Sequence, residues 1–467
     1  MSVPFVKIIA YNSSINKQLC KENTKFEKLF RKEVPTMKFV FALKQHVGAP
    51  AGPVVCEGDN IKRGQMIAAK PENALGSNIF SSVDGKVTAI DDNYIMIEES
   101  NTDFTSYQKL TGNSPKELIE EAGIVGLGGA GFPTSVKLNA HFDGDGVVIV
   151  NAAECEPILS HNIARIEQEP ENLIKGLKIV MDLVNAKRGI IAIKEIHKEA
   201  IEKLKAVITE DDIEISTLEN IYPMGEERAI VRETLGILLE PEQLPMAANA
   251  IVINAETVLK VREAVEEKKP LIDKDMTVAG KLKEDASVHI FFDIPIGMKV
   301  ADVIEKAGGL GKEYGEIIMG GPFTGKRTSL DAPVVKTTGG IIAAEEFLPG
   351  PKKIGLLVCA CGANKERLEE QAKSMGSEVV GVEYCKQAKE VKNSRKCENP
   401  GRCPGQVQKV MQLKKDGAQA VLISNCTDCS NTVMSCAPQL KLPVYHCTDG
   451  ALRAVNHKLI RKFKKDE

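Results

Sequence analysis

The stretch Gly126-Leu-Gly-Gly-Ala-Gly-Phe-Pro-Thr-Ser-Val-Lys-Leu138 carries four glycines within six positions. Glycine adopts positive φ and has no Cβ, so successive N–H groups of such a loop can converge on an anion, and Lys137 can add a positive charge. Gly126, Gly128 and Gly131 also match the G-x-G-x-x-G spacing of dinucleotide-binding proteins. The composition therefore favours a phosphate-binding loop, with an ordinary glycine-rich turn as the alternative.

The residues that precede this loop predict a helix. Ser114 is suited to the N-cap, Pro115 to the first helical position, Glu117 to a capping box and Gly123 to the stop. The dinucleotide-binding fingerprint requires a strand before the glycines and a helix after them. We therefore do not expect an ordinary Rossmann βαβ unit here.

After the loop, Val147-Val-Ile-Val-Asn151 is an apolar run that ends in a polar residue. This pattern is typical of a buried parallel strand whose carboxyl end opens into a ligand crevice. Glu154 and Glu156 follow, and they can contact the polar edge of a ligand or form a solvated charged loop. Cys155 lies between them and is expected to be buried.

The glycine loop and three further segments resemble, in order, the flavin loops of the NADH-oxidising flavin subunit of respiratory complex I and of the RnfC protein of the Rnf electron-transport complex. The further segments are Val150-Asn-Ala-Ala-Glu-Cys-Glu-Pro157, Tyr222-Pro-Met-Gly-Glu-Glu-Arg-Ala229 and Asn254-Ala-Glu-Thr257. The resemblance implies that the glycines and the lysine face the phosphate of FMN, and that the acidic and asparagine residues lie near its ring, its ribityl chain and NADH. The implied cofactor-binding residues are Gly126, Gly128, Gly129, Gly131, Lys137, Asn151, Glu154, Glu156, Gly225, Glu226, Asn254 and Thr257.

The chain is predicted to have a multi-domain α/β fold with additional β modules, because its 467 residues exceed a single domain. Short strands broken by turns before residue 110 indicate an all-β unit, and its sequence resembles the opening module of RnfC. Leu348-Pro-Gly-Pro-Lys-Lys353 is predicted to be a linker that lets the last domain swing. The predicted units are an N-terminal extension without an assigned role (1–36), a barrel-sandwich hybrid module (37–110), an FMN- and NADH-binding α/β domain (111–268), a β-grasp soluble ligand-binding module (269–347) and a cysteine-rich α/β redox domain (354–467).

Nine of the twelve cysteines follow residue 350. RnfC continues with two C-x-x-C-x-x-C-x-x-x-C-P runs for iron–sulfur clusters, and neither run is present here. One C-x-x-C, Cys426-Thr-Asp-Cys429, is predicted at a strand-to-helix turn, where helix N–H groups favour a reactive thiolate. Cys426 and Cys429 are therefore the predicted catalytic dithiol.

Metal binding is the alternative for these cysteines, because four thiolates can hold a [4Fe-4S] cluster or zinc. The irregular spacing of these cysteines does not distinguish between a dithiol, a metal or iron–sulfur site and inert cysteines. The candidate ligands are Cys359, Cys361, Cys385, Cys397, Cys403, Cys426, Cys429 and Cys436.

The composition excludes some partners. With 43% hydrophobic residues the chain can bury sizeable cores, and a net charge of −3 gives no electrostatic reason to expect nucleic acid or an anionic membrane surface. No apolar run reaches the length of a transmembrane helix, and no secretory leader is recognisable. The expected location is cytoplasmic, and homo-oligomerisation is left open.

The resemblance implies an electron-transport flavoprotein in which NADH gives a hydride to FMN and the electrons pass through the C-terminal cysteine centre to a partner. A flavin body without the two ferredoxin runs and with a cysteine-rich tail resembles the proline reductase-associated electron-transfer proteins of amino-acid-fermenting clostridia. That resemblance implies D-proline reductase as the acceptor. Two alternatives remain: the RnfC component of a membrane-associated Rnf-type NAD:ferredoxin complex, and a non-catalytic scaffold.

Overall fold

The computed structural model describes residues 6–9, 36–101, 103–209, 211–284, 286–392, 394–424 and 426–461. The charged run between Lys21 and Lys32 lies outside these ranges. The first strand, β1 (Val6–Ile9), pairs in parallel with residues 288–291 of a central sheet. The segment predicted to be an extension without a role therefore contributes an edge strand to that sheet.

The first module consists of two small antiparallel sheets, in the strand orders β2-β8-β7-β4 and β3-β5-β6. Phe39 and Phe41 alternate with more accessible neighbours and are buried in its core, as the two-residue period of a strand requires. The strands are β2 (Lys38–Ala42), β3 (Gly52–Pro53), β4 (Asn60–Ile61), β5 (Met66–Ala69), β6 (Ile79–Phe80), β7 (Asp84–Ile90) and β8 (Tyr94–Asn101).

The second unit is a four-stranded parallel sheet with helices packed against it, in the strand order β11-β10-β9-β12. Its elements are α1 (Pro115–Glu121), α2 (Thr134–Lys137), β9 (Val147–Ala152), α3 (His161–Gln168), α4 (Pro170–Val184), β10 (Arg188–Lys194), α5 (Lys198–Val207), β11 (Ile213–Leu218), α6 (Glu227–Leu235), β12 (Ala250–Asn254) and α7 (Ala255–Arg262), which a π turn (Glu263–Glu267) extends. The strand order reverses between β9 and β12, and this is the point where open parallel sheets bind ligands.

The central sheet is mixed and has the strand order β1-β14-β13-β17-β15-β16. Its remaining elements are β13 (Asp273–Gly280), β14 (Ser287–Pro295), α8 (Val300–Lys306), β15 (Glu316–Met319), β16 (Lys326–Thr328) and β17 (Gly340–Ala344). Strand β13 is buried throughout although it contains two aspartates and a lysine. Buried charges require partners, and these partners come from the other two units: Arg63 for Asp273, Glu256 for Lys274 and Arg165 for Asp275.

The C-terminal unit is a second four-stranded parallel sheet, in the order β19-β18-β22-β23, with a β20–β21 hairpin. The α/β character predicted for it is confirmed by the alternation of strands and helices. The elements are β18 (Lys353–Val358), α9 (Lys365–Ser374), β19 (Glu378–Tyr384), β20 (Ala388–Val391), β21 (Ser394–Cys397), α10 (Val407–Lys415), β22 (Ala420–Ile423), α11 (Thr427–Cys436), β23 (Val444–His446) and α12 (Asp449–Ala454).

In the structure the C-terminal unit packs against the central sheet, so the swing predicted for residues 348–353 would have to break these contacts. Arg367 of α9 forms a buried ion pair with Glu316 of the central sheet, and Glu345 N–H donates to the carbonyl of Gly450 at 3.0 Å. Phe323 and Phe347 pack into the core of the C-terminal unit. The linker residues do not form a hydrophobic core of their own, but the elements before and after the linker pack into a common hydrophobic core.

Candidate active site

The glycine loop, residues 126–131, rests on the carboxyl end of β12. Leu127 N–H donates to Thr257 Oγ1 at 3.0 Å, and a Cβ added to Gly128 would lie 2.5 Å from Asn254 Nδ2. Gly129 is exposed, and a Cβ added there would have no heavy atom within 4 Å. The loop therefore presents bare backbone above the sheet edge, and this cradle fits the close approach of a phosphate or flavin.

Two asparagines mark the edge of the sheet at the reversal of strand order. Asn151 of β9 and Asn254 of β12 are direct register partners. Asn151 Nδ2 donates to the carbonyl of Gly225 at 2.9 Å, and Gly225 N–H donates to Cys155 Sγ at 3.2 Å. A Cβ on Gly225 would approach Cys155 Cβ to 2.7 Å, so glycine is needed there. Three segments that are far apart in sequence thus meet at one crevice.

Other predicted cofactor residues have protein partners. Lys137 Nζ donates at 2.8 Å both to Glu227 and to the carbonyl of Val252. Glu226 is the N-cap of α6, and its carboxylate accepts from the N–H groups of Arg228 and Ala229. Gly126 N–H closes the loop onto the carbonyl of Phe132 at 2.9 Å, and Gly131, at φ +75°, packs against His46 and Thr337 of neighbouring units.

The two acidic residues of the second loop are half-buried, so they do not form the solvated charged loop that was the alternative. Glu154 accepts from the N–H of Asn162 at 2.9 Å. Glu156 accepts from the N–H groups of Phe323 and Thr324 at 2.7 and 2.9 Å, and burial raises the pKa of its carboxyl. These bonds fix the loop against the central sheet.

Seven cysteines of the C-terminal unit form a thiol network at the carboxyl ends of β18 and β22. This is again the point where strand order reverses in a parallel sheet. Cys359 lies close enough to three other thiols, and Cys429 to four, for these neighbours to shift its pKa. The thiol network consists of Cys359, Cys361, Cys385, Cys397, Cys403, Cys426 and Cys429.

Two thiols of the network have lowered pKa values. Hydrogen bonds from Cys361, Cys385 and Cys429 hold the pKa of Cys359 well below its ordinary value. The pKa of Cys403 falls to about 6, chiefly through its hydrogen bond with Cys429. Cys426 lies at the predicted strand-to-helix turn, where it is the N-cap of α11, yet its thiol makes no capping hydrogen bond.

Cys436 does not join the network, because it lies at the far end of α11, in a separate hydrophobic core with Val433 and Leu442. No sequence pattern pointed to Gln406, whose Nε2 lies 3.1 Å from Cys385 Sγ and 3.4 Å from Cys403 Sγ. Within the described ranges, no three His, Cys, Asp or Glu side chains are disposed to hold a metal ion. Sulfur donors nevertheless are the ligand type that iron–sulfur clusters use, so the donor set is compatible with such a cluster.

The thiol network adjoins the second unit at Tyr222. The Tyr222 ring stacks on Phe323, with centroids 3.7 Å apart and planes 4° apart. Tyr222 N–H donates to Thr427 Oγ1 at 3.2 Å, and Thr427 N–H donates back to the Tyr222 carbonyl at 3.3 Å. Thr427 lies between the two cysteines of the C-x-x-C. The third predicted flavin loop and the thiol network are therefore in direct contact.

Comparisons with known proteins agree with this arrangement. Residues 119–263 match the model of the Nuo51 FMN-binding domain, and residues 11–105 match that of the RnfC barrel sandwich hybrid domain. The C subunit of the proton-translocating ferredoxin:NAD(+) oxidoreductase complex of Clostridium ljungdahlii is 32% identical over 66% of this chain and 71% of its own length. The C subunit of the Na(+)-translocating complex of Acetobacterium woodii is 30% identical over 72% and 80%. The cobalamin reductase PduS of Salmonella typhimurium is 36% identical, over about half of each chain (51% and 52%).

The fold and the site define an electron-transfer oxidoreductase with an FMN-binding domain and a barrel-sandwich hybrid domain. More particularly, the chain belongs to the RnfC family, the C subunits of the ion-translocating ferredoxin:NAD(+) oxidoreductase (Rnf) complexes. Within the described ranges, none of the helices combines the length and the apolar character that crossing a bilayer requires.

Proposed function

We propose that this chain takes electrons from NADH at the crevice between β9 and β12 and delivers them through the thiol network to a partner protein. Bound FMN would supply the redox chemistry, because it accepts a hydride and releases electrons singly or in pairs. The protein would supply the position, the polarity and the exclusion of water. The observation that carries the proposal is the hydrogen-bonded contact between Tyr222 and Thr427.

For the cofactor, we assign the bare backbone of Gly128 and Gly129 to the phosphate end and Asn151 and Asn254 to the polar groups along the sheet edge. The open space above Gly129 and the register pairing of the two asparagines support this assignment. Thr257 would hold the glycine loop in position, because its hydroxyl accepts from Leu127 N–H. Lys137 would reach a phosphate only by exchanging its contact with Glu227.

The remaining predicted cofactor residues would act indirectly, by positioning the helix and the loops that surround the crevice. Glu226 would do so by starting α6, and Glu154 and Glu156 by anchoring the second loop. Gly225 would let that loop approach closely through Cys155. Gly126 and Gly131 would close the glycine loop and seat it on its neighbours.

The proposed electron acceptor is a partner protein that is reduced by the thiol network. D-proline reductase, which the sequence resemblance implies, stays a prediction, because none of the relatives named above carries that activity in its name. A role as the RnfC component of an Rnf-type complex is supported by the extent of the match with the Acetobacterium woodii protein. Co-purification with membrane proteins of such a complex would favour that role.

Anaerobic purification with a visible spectrum, acid extraction of flavin, and iron and sulfide assays tests the proposal. We expect extractable FMN and bleaching of its absorbance by NADH. Iron and sulfide in stoichiometric amounts would assign the thiol network to a cluster, and flavin without iron would assign it to dithiol chemistry. A colourless protein that does not oxidise NADH would instead support the scaffold alternative and contradict our proposal.

Replacing Cys429 tests the onward step. In Cys429→Ser we expect NADH still to bleach the flavin, while the rate of reduction of an added protein acceptor falls by at least about tenfold, because Cys429 touches four other thiols. Cys436→Ser is the matched control, since Cys436 lies on the same helix but in a separate core. Equal onward rates in both variants would remove Cys429 from the path.

A further inference from the structure

Most of the thiol network is closed to solvent. Cys359, Cys385, Cys397, Cys426 and Cys429 are at most 6% exposed. The two half-buried members are Cys361 and Cys403. Cys361 packs against the hydrophobic core that contains Tyr222. Cys403 lies in the loop before α10, between the exposed residues Arg402 and Pro404. An external molecule can therefore meet the network at Cys403.

The sulfur of Cys403 is surrounded by hydrogen-bond donors. Gly405 N–H donates to it at 3.3 Å and Gln406 Nε2 at 3.4 Å. Thr432 Oγ1 lies 3.1 Å from the sulfur and 2.9 Å from the carbonyl of Cys429. Its single hydrogen can point to the carbonyl when Cys403 is a thiol and turn to the sulfur when Cys403 is a thiolate. This cradle stabilises negative charge on the sulfur.

Cys429 provides a second sulfur next to the first. Gln406 Nε2 lies between the two sulfurs, at 3.4 Å from Cys403 Sγ and 3.9 Å from Cys429 Sγ. Gln406 is 1% exposed, and its Oε1 has no hydrogen-bond partner among the described residues. Burying an amide oxygen without a hydrogen-bond partner costs stability, while the amide nitrogen lies near both sulfurs. Gln406 is therefore placed to hold Cys403 and Cys429 next to each other.

We propose that Cys403 is the nucleophile by which the thiol network reduces a disulfide of a partner molecule, and that Cys429 resolves the resulting mixed disulfide. The Cys403 thiolate attacks one sulfur of the external disulfide, forms an S–S bond and expels the other sulfur as a thiolate. Cys429 passes its proton to the thiolate expelled first, then attacks the Cys403 sulfur and expels the second sulfur as a thiolate. Two protein thiols are oxidised to one disulfide, and the external disulfide is reduced by two electrons to two thiols.

This inference rests on the proposed function in its dithiol form, and it replaces the predicted Cys426–Cys429 pair by Cys403–Cys429. The test uses the full-length, anaerobically reduced protein and a chromogenic aromatic disulfide (DTNB) without NADH. Because no flavin reduction is involved, failure here is distinguishable from failure of NADH oxidation. Mass spectrometry of samples quenched early identifies the modified cysteine.

We expect Cys403 to react first, about tenfold faster than the exposed Cys56, which is the control for simple accessibility. Each fast event should release two equivalents of reagent thiolate and leave a Cys403–Cys429 disulfide. Cys429→Ser should stop at one equivalent, with the mixed disulfide on Cys403. Thr432→Val should keep the shape of the side chain and slow the fast phase several-fold, by about the value of one hydrogen bond.

Three results would overturn the assignment. One is a fast phase that maps to Cys56, Cys426 or another thiol. The second is a fast phase that survives in Cys403→Ser at the rate seen in the Cys436→Ser control. The third is a network that stays unreactive in a protein whose Cys56 is fully modified, as thiolates bound to a cluster would be.

Discussion

At the scale of single residues, the glycine loop offers a direct test of the cofactor assignment. Gly129→Leu should lower the affinity for FMN by at least about tenfold, because the side chain would fill the space above bare backbone. It should leave the fold intact, since no heavy atom lies within 4 Å of the added Cβ. Gly144 also has open space, so Gly144→Leu is the matched control. Flavin titration of the apoprotein measures both, and full occupancy in Gly129→Leu would contradict the assignment.

Lys336 is a second residue whose behaviour follows from its surroundings. It is 1% exposed, donates to Ser77 Oγ and to the carbonyls of Asn78 and Gly123, and burial lowers the pKa of its ammonium to about 7. These partners belong to the first two units, so this one side chain joins three units of the molecule.

The sign of the resulting pH dependence follows from the lowered pKa. Below about pH 7 the Lys336 ammonium is charged in both states. Between that value and the unfolded pKa of about 10.4 the unfolded chain binds more protons, so the free energy of unfolding rises with pH. We expect a contribution of up to about 1.4 kcal/mol per pH unit between about pH 7.5 and 9.5. Denaturant unfolding of wild type and Lys336→Met compares the slopes, and equal slopes would contradict the lowered pKa.

At the scale of elements, the sequence predicts those parts of the fold that local chemistry determines. The helix after Ser114 forms because the Ser114 hydroxyl accepts from the N–H of Glu117, and Gly123 ends it at φ +70°. The apolar run 147–151 is a buried strand, as predicted. A helix is predicted from Ser430, and the structure begins it three residues earlier, at Thr427.

The parts that sequence did not predict depend on contacts between distant segments. Gln406 joins the thiols because the loop before α10 packs against α11, where Cys403 N–H donates to the Asp428 carboxylate. Cys436 lies apart from them because α11 carries it a further two turns away. Lys137 is suited to a phosphate by residue type, yet Glu227, ninety positions further along the chain, is its partner. Such partners are set by topology, which residue spacing does not encode.

The contact between α3 and β13 gives a prediction for two elements. Arg165 donates at 2.7 Å through Nε and through a terminal nitrogen to the two oxygens of Asp275, which is 2% exposed. Arg165→Ala should lower the free energy of unfolding by about 3–5 kcal/mol, because it leaves a buried carboxylate without its partner. Arg165→Lys should recover only part of that loss, since an ammonium cannot make the bidentate contact. Denaturant unfolding measures both, and a full rescue by lysine would contradict the bidentate role.

At the scale of the whole molecule, the three folded units before residue 348 and the C-terminal unit are predicted to move as one body. The ion pair between Arg367 and Glu316 is the contact between these units that a charge exchange can test. Arg367 Nη1 lies 2.9 Å from Glu316 Oε2, and both side chains are largely buried. Arg367→Glu places two carboxylates together in a site with little water. It should therefore detach the C-terminal unit from the central sheet without unfolding either one.

Hydrogen exchange and limited proteolysis at residues 348–353 measure that detachment. We expect Arg367→Glu to raise the rate of cleavage after Lys352 and Lys353 several-fold, and Arg367→Glu combined with Glu316→Arg to restore protection, because the exchanged pair again has opposite charges. Arg395→Glu is the control, since Arg395 pairs within the C-terminal hairpin, with Glu390. If Arg367→Glu leaves the linker as protected as in wild type, the ion pair does not hold the units together, and the packing of Phe323 and Phe347 into the core of the C-terminal unit is the contact that does.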